Sequence, residues 1–162
     1  MKQSKKDAVK RPHPIGEERR SMRLTTFHSY IVKNPPPGFG GRYFIFVALT
    51  TSCGITGIGE IYATSFAPEI VTSIARDIFQ RYLEGQNPFQ TEQFCRRAHG
   101  SGFSHRPDPS LQGVVSGLEM ACWDIMGKAL DRPVFDLLGG QVHDRLRTYT
   151  CLLYTSDAAD ES

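Results

Sequence analysis

Residues 116–140, SGLEMACWDIMGKALDRPVFDLLGG, carry the most informative pattern in this sequence. Its apolar residues recur every three or four positions, and this pattern predicts a long helix over Leu111–Leu130. Ser110 is of a residue type preferred at the N-cap, and Asp131-Arg132-Pro133 ends the helix. A short helix is predicted at Val134–Leu138, where two glycines follow as a stop signal.

The long helix also carries small residues and one ion pair. Gly113 and Gly117 are four residues apart, so they lie on one side of the helix and allow another backbone to come close. Asp124 and Lys128 are spaced i,i+4 in the order that favours an ion pair.

The residues before this helix predict a small sheet and two further helices. Three runs rich in β-branched and aromatic residues predict an antiparallel meander. Gly57 and Gly59 in its third strand indicate that something packs closely on it. One more strand is predicted after the helices, so the fold class is α+β, with the meander followed by a helical bundle. The predicted segments are strands Arg23–Val32, Arg42–Thr51, Ile55–Tyr62 and Arg145–Thr150, and helices Pro68–Leu83 and Gln90–His99.

Charge is concentrated at the start of the chain. Residues 1–21 hold seven basic residues against three acidic ones, whereas the whole chain of 162 residues has a net charge of only +2. Because this segment is poor in apolar residues, we interpret it as a disordered basic leader, with Met22 as a plausible true start. The alternative is an arm that binds nucleic acid, and the low net charge of the rest does not support it.

Other classes of protein are disfavoured by composition. The basic start is not followed by an apolar stretch like that of a signal peptide, and no apolar run is long enough for a membrane span. The four cysteines are scattered, without the spacing of a zinc site or a disulfide framework. The expected location is therefore the cytoplasm.

Few residues suggest chemistry of their own. Glu60 is a carboxylate near a strand end without a partner for paired acid–base work. Glu119 and Asp124 are five residues apart, which favours helix-surface contacts over metal binding, and the histidines show no ligand spacing. His105-Arg106 lies in a loop and could face an anionic substrate. Residue patterns alone thus predict only an α+β domain with two loops, 33–41 and 100–109, that are expected to cover something.

A resemblance extends this interpretation. The segments that carry it are GFGGRYF (38–44), GITGIGE (54–60), NPF (87–89) and above all residues 116–140, the most specific of them. Over roughly Met22–Thr150 the chain resembles the N-terminal capping domain of mandelate racemase/muconate lactonizing enzyme-like members of the enolase superfamily. In that family the cap closes over a (β/α)7β barrel, which carries three acidic Mg²⁺ ligands and Lys or His bases that remove the proton α to a carboxylate.

The resemblance implies a role for particular loops. Cap loops restrict substrate choice, so it makes Phe39, Arg42, Glu60 and Tyr62 candidates to face a carboxylate-bearing substrate, together with His105 and Arg106. The stretch GFSHR (102–106) looks most like the sugar-acid dehydratase members, which function in carbohydrate acid catabolism. Racemases and cycloisomerases are the other members that the resemblance allows. A homo-oligomeric parent enzyme is also expected.

The same resemblance indicates what this chain lacks. Residues 22–140 would be the cap and 141–150 the start of the barrel, with the metal ligands and bases further on. Residues 151–162 resemble a translated sequencing adapter, and we interpret them as an artefact instead of a natural tail. The fragment is therefore expected to have no catalytic residue and no metal site. The alternative from another functional class is a stand-alone binding module that uses the cap fold without catalysis.

Overall fold

The computed structural model describes residues 16–36, 38, 41–62, 67–100 and 108–147. Three strands form one antiparallel sheet in the order β1-β2-β3. Five helices accompany the sheet in the described residues, and all elements follow one another in the order α1, β1, β2, β3, α2, α3, α4, α5. Their bounds are Gly16–Ser21 (α1), Leu24–Lys33 (β1), Tyr43–Thr51 (β2), Thr56–Ile61 (β3), Pro68–Tyr82 (α2), Thr91–His99 (α3), Pro109–Leu130 (α4) and Val134–Leu137 (α5).

The sheet register follows from the tight connection between β2 and β3. Thr50 pairs with Thr56 and Ile45 with Ile61 across this hairpin, while Lys33 pairs with Tyr43 between β1 and β2. At the turn the Thr51 hydroxyl donates to the Ile55 carbonyl at 3.1 Å, and the Ile55 amide donates to the Thr51 hydroxyl at 3.0 Å. These bonds explain why Thr51 is buried although it is polar.

The core lies between one face of the sheet and the helices α2, α3 and α4. Strand alternation turns Ile45, Val47 and Leu49 of β2 to this side, and all three are buried. Helix α4 contributes the largest share, because its apolar residues occupy more than one stripe of its surface. Its buried residues are Val114, Val115, Gly117, Leu118, Ala121, Cys122, Ile125, Met126, Gly127 and Ala129.

The predicted α+β order is confirmed, with three corrections. The N-cap of α4 is Asp108 and not Ser110: the Asp108 carboxylate accepts from the amides of Ser110 and Leu111 at 2.9 and 3.2 Å. Pro109 takes the first helical position, where its missing amide costs nothing. Asp108, one residue before this proline, is therefore the N-cap in place of the predicted Ser110.

The second correction concerns the leader. The expected disorder over 1–21 is wrong for its last six residues, because Gly16–Ser21 is helical. The Asn87 side chain donates to the carbonyls of Arg19 and Arg20, and Met22 is buried in the core. Packing by Met22 thus fixes the residues just before it. Residues 1–15 lie outside the described ranges.

The third correction concerns the end of the domain. Arg145–Arg147, the described part of the last predicted strand, form no strand. No described residue pairs with them, and a strand is stable only with a neighbour. Residues 148–150 and the stretch interpreted as adapter, 151–162, lie outside the described residues.

Candidate functional site

The position of β3 against α4 is set by glycines. A methyl group on Gly59 would overlap the Gly117 carbonyl oxygen, and one on Gly57 would overlap that of Ala121. From the other side, a methyl group on Gly117 would lie 2.9 Å from the Glu60 carbonyl oxygen. The close backbone approach predicted from these glycines is confirmed: Gly59 of β3 lies against Gly117 of α4, and Gly57 lies against Ala121 of the same helix.

The contact between β3 and α4 continues past the end of the strand. A methyl group on Gly113 would overlap the Tyr62 carbonyl oxygen, so the first turns of α4 lie beside the segment that leaves β3. The His99 Nε2 and Gln112 Oε1 atoms are 2.9 Å apart, which brings the end of α3 to the same place. The segment between α3 and α4 therefore starts and ends near Tyr62.

The connection between β1 and β2 emerges at this end too. Since Lys33 pairs with Tyr43 and Ile45 with Ile61, the end of β1, the start of β2 and the end of β3 lie at one end of the sheet. We call this the loop end. Three connections that are far apart in sequence begin there: 34–42, 62–67 and 100–108.

Asn34 holds the base of the first of these connections. Its side-chain amide donates to the Gly41 carbonyl at 2.8 Å, and its backbone amide donates to the Arg42 carbonyl at 3.0 Å. Gly38 and Gly41 both have positive φ, of 72° and 139°, which explains the glycines in this loop. Asn34 was not among the predicted site residues, although asparagine before a proline run is a turn signal.

Three of the six candidate residues are described. Arg42 lies at the loop base and is exposed, and Tyr62 directly follows β3 with 87% of its surface exposed. Arg42 is three residues before Ile45, so the Cα atoms of Arg42 and Ile45 are about 10 Å apart along the strand direction. The structure brings Arg42 and Tyr62 to the loop end. Phe39, His105 and Arg106 lie outside the described residues.

Glu60 differs from the other candidates in direction. It is the last residue but one of β3, and its neighbours Gly59 and Ile61 are buried against α4. By strand alternation the exposed Glu60 side chain projects from the opposite face of the sheet, beside its register partner Phe46. It therefore lies near the loop end but on the outer face.

Asp124 and Lys128 form the predicted ion pair at 2.7 Å, and they also do more than the spacing indicated. The same Asp124 oxygen accepts from the Ile58 amide at 2.8 Å, and the Lys128 ammonium donates to the Thr56 carbonyl at 2.8 Å. The pair thus satisfies backbone groups on the free edge of β3. No local pattern could indicate bonds across 66 and 72 residues of sequence.

The opposite side of α4 holds two thiols with suppressed acidity. Burial, with the nearby Glu119 carboxylate as a further cause, raises the pKa of Cys95 to about 11. Burial also raises the pKa of Cys122 to about 12. Glu119 itself accepts from the Trp123 indole N–H at 3.2 Å. Both cysteines are free and protonated at neutral pH, which makes them packing residues and poor nucleophiles.

The carboxylates of the described residues do not fit a magnesium site. Within that part of the chain no three His, Cys, Asp or Glu side chains come together in a group that could hold a metal ion. Asp124 bonds to Lys128 and to the Ile58 amide, and the Glu60 side chain projects from the outer face.

Among the described helices, none is both long enough and apolar enough to cross a bilayer.

The structure is thus a small α+β domain in which the connections of a three-stranded sheet begin at one end, beside the start of α4. Residues 39–139 match the family described as "Mandelate racemase / muconate lactonizing enzyme, N-terminal domain". The chain belongs to this family, and is a capping domain of the enolase superfamily.

Relatives of known name are longer proteins. The chain is 35% identical over 129 residues to a D-galactonate dehydratase from Ralstonia pickettii, a match covering 80% of this chain and 31% of the relative. A D-galactonate dehydratase from Xanthomonas campestris is 32% identical over 127 residues, 78% of this chain and 30% of the relative. The chain thus spans about a third of the length of these curated relatives.

Solved structures agree with the fold. A mandelate racemase/muconate lactonizing enzyme from Jannaschia sp. is 51% identical, with a TM-score of 0.73 over 77% of this chain and 32% of that one. One from Sulfitobacter sp. is 48% identical, with a TM-score of 0.74 over 78% of this chain and 32% of that one.

Proposed function

We propose that this chain is the substrate-capping domain of a Mg²⁺-dependent enzyme that removes the proton α to a carboxylate and eliminates water from a sugar acid. The observation that carries the proposal is the loop end, where three connections distant in sequence begin and where Arg42 and Tyr62 lie. A dehydratase is favoured because curated relatives are named D-galactonate dehydratases. Racemisation or cycloisomerisation is the second candidate, since the matching family is named after a racemase and a lactonizing enzyme.

The loop end suits recognition more than catalysis. Arg42 provides a permanent positive charge that can pair with a carboxylate through two parallel hydrogen bonds. Tyr62 provides an exposed ring with a hydroxyl that can donate to or accept from a sugar hydroxyl group. Phe39, His105 and Arg106 belong to the same connections, and we propose that they contribute to substrate choice. Glu60 would act only from the outer face.

Catalysis is proposed to need residues that follow this segment in a full-length parent. The described residues offer no base beside Arg42 and no metal cluster, so we expect the chain alone to be inactive. The exposed apolar residues after α4 support a further domain, because such side chains are usually covered in the complete protein. They are Phe135, Leu138, Val142 and Leu146. We further propose that the parent is a homo-oligomer of the cytoplasm.

The first test is the reading frame after Thr150. Sequencing the source DNA should show a barrel with a Lys-x-Lys strand and three spaced acidic residues in place of residues 151–162. A frame that continues naturally through Cys151 without such a barrel would refute the proposed enzyme. It would instead favour the stand-alone binding module, which should be monodisperse and bind a specific ligand by itself.

The second test is the reaction of that parent enzyme in D₂O with Mg²⁺ and D-galactonate or other sugar acids. In dehydration the α-proton and the β-hydroxyl leave as water, and the enol formed tautomerises to a 2-keto acid. A 2-keto acid product supports the dehydratase. Solvent deuterium at the α-carbon of an otherwise unchanged acid would support racemisation in its place.

The loop end itself can be tested in the parent with Arg42→Ala. We expect kcat/KM to fall about tenfold or more, because a charge-assisted contact to the substrate is lost. Arg96→Ala is the matched control, since Arg96 is an exposed arginine on α3 whose side chain pairs with Glu92 of the same helix. Equal effects of the two substitutions would argue against the loop end as the substrate-facing surface.

A further inference from the structure

Asn34 bonds to both peptide groups that flank the α-carbon of Arg42. Its side-chain amide donates to the Gly41 carbonyl at 2.8 Å, and its backbone amide donates to the Arg42 carbonyl at 3.0 Å. The first carbonyl belongs to the peptide group before Arg42, and the second to the one after it. Because the orientations of these two planar groups define φ and ψ of Arg42, Asn34 restrains the direction in which the arginine side chain leaves the backbone.

The sequence of the loop explains why a side chain makes the first of these bonds. Pro35 and Pro36 follow Asn34, and proline has no backbone N–H to donate. The Gly38 amide donates to the Pro35 carbonyl at 2.9 Å, and the Gly41 amide donates to the Gly38 carbonyl at 3.2 Å. These two amides are therefore used inside the loop, and the Gly41 carbonyl takes its donor from the Asn34 side chain.

The backbone beyond Arg42 is held by the sheet. Tyr43 pairs with Lys33 at the first position of the β1-β2 ladder. Asn34 is half-buried, whereas the Arg42 side chain is exposed. The backbone of Arg42 is thus restrained on both sides, while its guanidinium group is accessible at the loop end.

We propose that Asn34 is a positioning residue for substrate recognition, which fixes the direction of Arg42 toward the carboxylate of the sugar acid. This inference rests on the proposed function, in which Arg42 pairs with that carboxylate. A guanidinium group binds a carboxylate through two parallel hydrogen bonds, and these require a defined approach of the two planar groups. A restrained backbone lowers the entropy that is lost when the substrate orders the arginine.

Trypsin cleavage after Arg42 tests the restraint in the full 162-residue chain, with the product identified by mass spectrometry. The protease cleaves only where the backbone leaves its own hydrogen bonds, so the rate reports how easily the base of the loop opens. Asn34→Ala should speed this cleavage about fivefold, because the Gly41 carbonyl loses its donor. Asn34→Leu removes the same donor at similar side-chain volume and serves if the alanine variant does not fold. An unchanged rate overturns the proposal.

Asn87→Ala is the matched control for the cleavage experiment. The Asn87 side chain also donates to a backbone carbonyl at 2.8 Å, that of Arg19. Asn87 directly follows the segment that bonds to Leu24 at the start of β1, so it lies at the opposite end of the sheet from Arg42. The control should leave cleavage after Arg42 unchanged. If it speeds cleavage as much as Asn34→Ala does, general loosening of the fold is the cause and the proposal is overturned.

Steady-state kinetics of the parent enzyme test the link to the substrate. Asn34→Ala should raise KM for the sugar acid about fivefold and leave kcat within about twofold, because a contact made equally in the ground state and the transition state affects KM alone. A purely structural defect would lower kcat through the fraction of folded enzyme and leave KM unchanged. That second pattern overturns the proposal.

A double variant that combines Asn34→Ala with Arg42→Ala shows whether Asn34 acts through the arginine. Its KM should be no higher than that of Arg42→Ala alone, since a residue that only positions Arg42 has no effect once the guanidinium group is gone. Additive effects of the two substitutions overturn the positioning role. If Arg42→Ala by itself leaves kcat/KM unchanged, the proposed function of the loop end fails, and this inference falls with it even where trypsin confirms the restraint.

Discussion

The β3 side and the β1 side of the sheet are built on different principles. On the β3 side, glycines of the strand and of α4 bring two backbones into contact, and Asp124 with Lys128 satisfies the strand edge. On the β1 side, side chains mediate the contact: the rings of Phe27 and Phe79 lie 5.5 Å apart, and Arg76 lies over Phe27. Backbone contact tolerates almost no change, whereas side-chain contact can adapt. The difference predicts where substitutions cost most.

The largest effect is expected for Gly59→Ala. The new methyl group would overlap the Gly117 carbonyl oxygen, and neither backbone can move without disturbing the sheet or α4. We expect a loss of about 3 kcal/mol or more in the free energy of unfolding, measured by urea denaturation. Gly16→Ala is the control, because a methyl group there has open space and the change should stay within about 0.5 kcal/mol. Equal losses for Gly59→Ala and Gly16→Ala would show that the β3 contact tolerates a methyl group as well as an open position does.

The next effect is expected for Asp124→Ala. It leaves the Ile58 amide without its acceptor and Lys128 without its ion pair, so a loss of about 1–2 kcal/mol is expected. Asp77→Ala removes a comparable i,i+4 pair with Arg81, but that pair lies in solvent on α2 and touches no strand. The control should cost about 0.3–0.5 kcal/mol. If the two variants are equally stable, sealing the β3 edge contributes nothing.

Alkaline pH should weaken the helix that supports β3. Because the folded-state pKa of Cys122 is raised to about 12, its thiol ionises earlier in the unfolded chain, whose cysteine pKa is near its ordinary value. This contribution to stability is full below that ordinary value and is lost as the pH rises toward 12. The slope is at most about 1.4 kcal/mol per pH unit for one proton. Urea denaturation between pH 8 and pH 11, taken as roughly the range that spans these pKa values, checks this.

Cys122→Ala is the comparison for that measurement. It should be less stable at neutral pH, because a buried side chain becomes smaller, but its stability should fall less steeply above pH 9, roughly the ordinary thiol pKa. Parallel pH profiles for the two proteins would show that the buried thiol is not responsible.

The smallest effect on stability is expected for Val32→Lys on the β1 side. Val32 is 47% exposed, and a charged side chain at this position can extend into solvent. The free energy of unfolding of the monomer should change by no more than about 0.5 kcal/mol. A loss approaching that of Gly59→Ala would mean that both sides of the sheet are equally intolerant, and the contrast between them would be lost.

Much of the fold was predictable because the signals are local. Strand alternation and helical spacing depend on neighbouring residues, so the three strands and helices α2 to α5 were predicted within one or two residues of their bounds. The cap of α4 was predicted two residues too late, because Asp108 and Ser110 are both good capping residues and only the position of Pro109 in the helix decides between them. The last predicted strand was not found at Arg145–Arg147, since a strand depends on a partner that local sequence does not supply.

The candidate site was less predictable. Arg42 and Tyr62 were named from the resemblance, and their common location at the loop end follows only from the register of β1, β2 and β3. Asn34 was missed, since its partner at Gly41 appears only once the loop closes. The projection of Glu60 from the outer face depends on which neighbours α4 buries.

Local sequence was enough to predict most of the elements, the family resemblance and the presence of a close backbone contact at Gly57, Gly59, Gly113 and Gly117. The packing of α4 on the sheet was needed to show that Gly59 lies against Gly117, Gly57 against Ala121 and Gly113 against Tyr62. It was also needed to show that Asp124 and Lys128 bond to β3 and that three connections begin at one end of the sheet. The two kinds of interaction differ in the sequence separation of the residues they join. Periodicity and capping act over a few residues, whereas these contacts join residues more than fifty positions apart, and the packing of α4 on the sheet selects them.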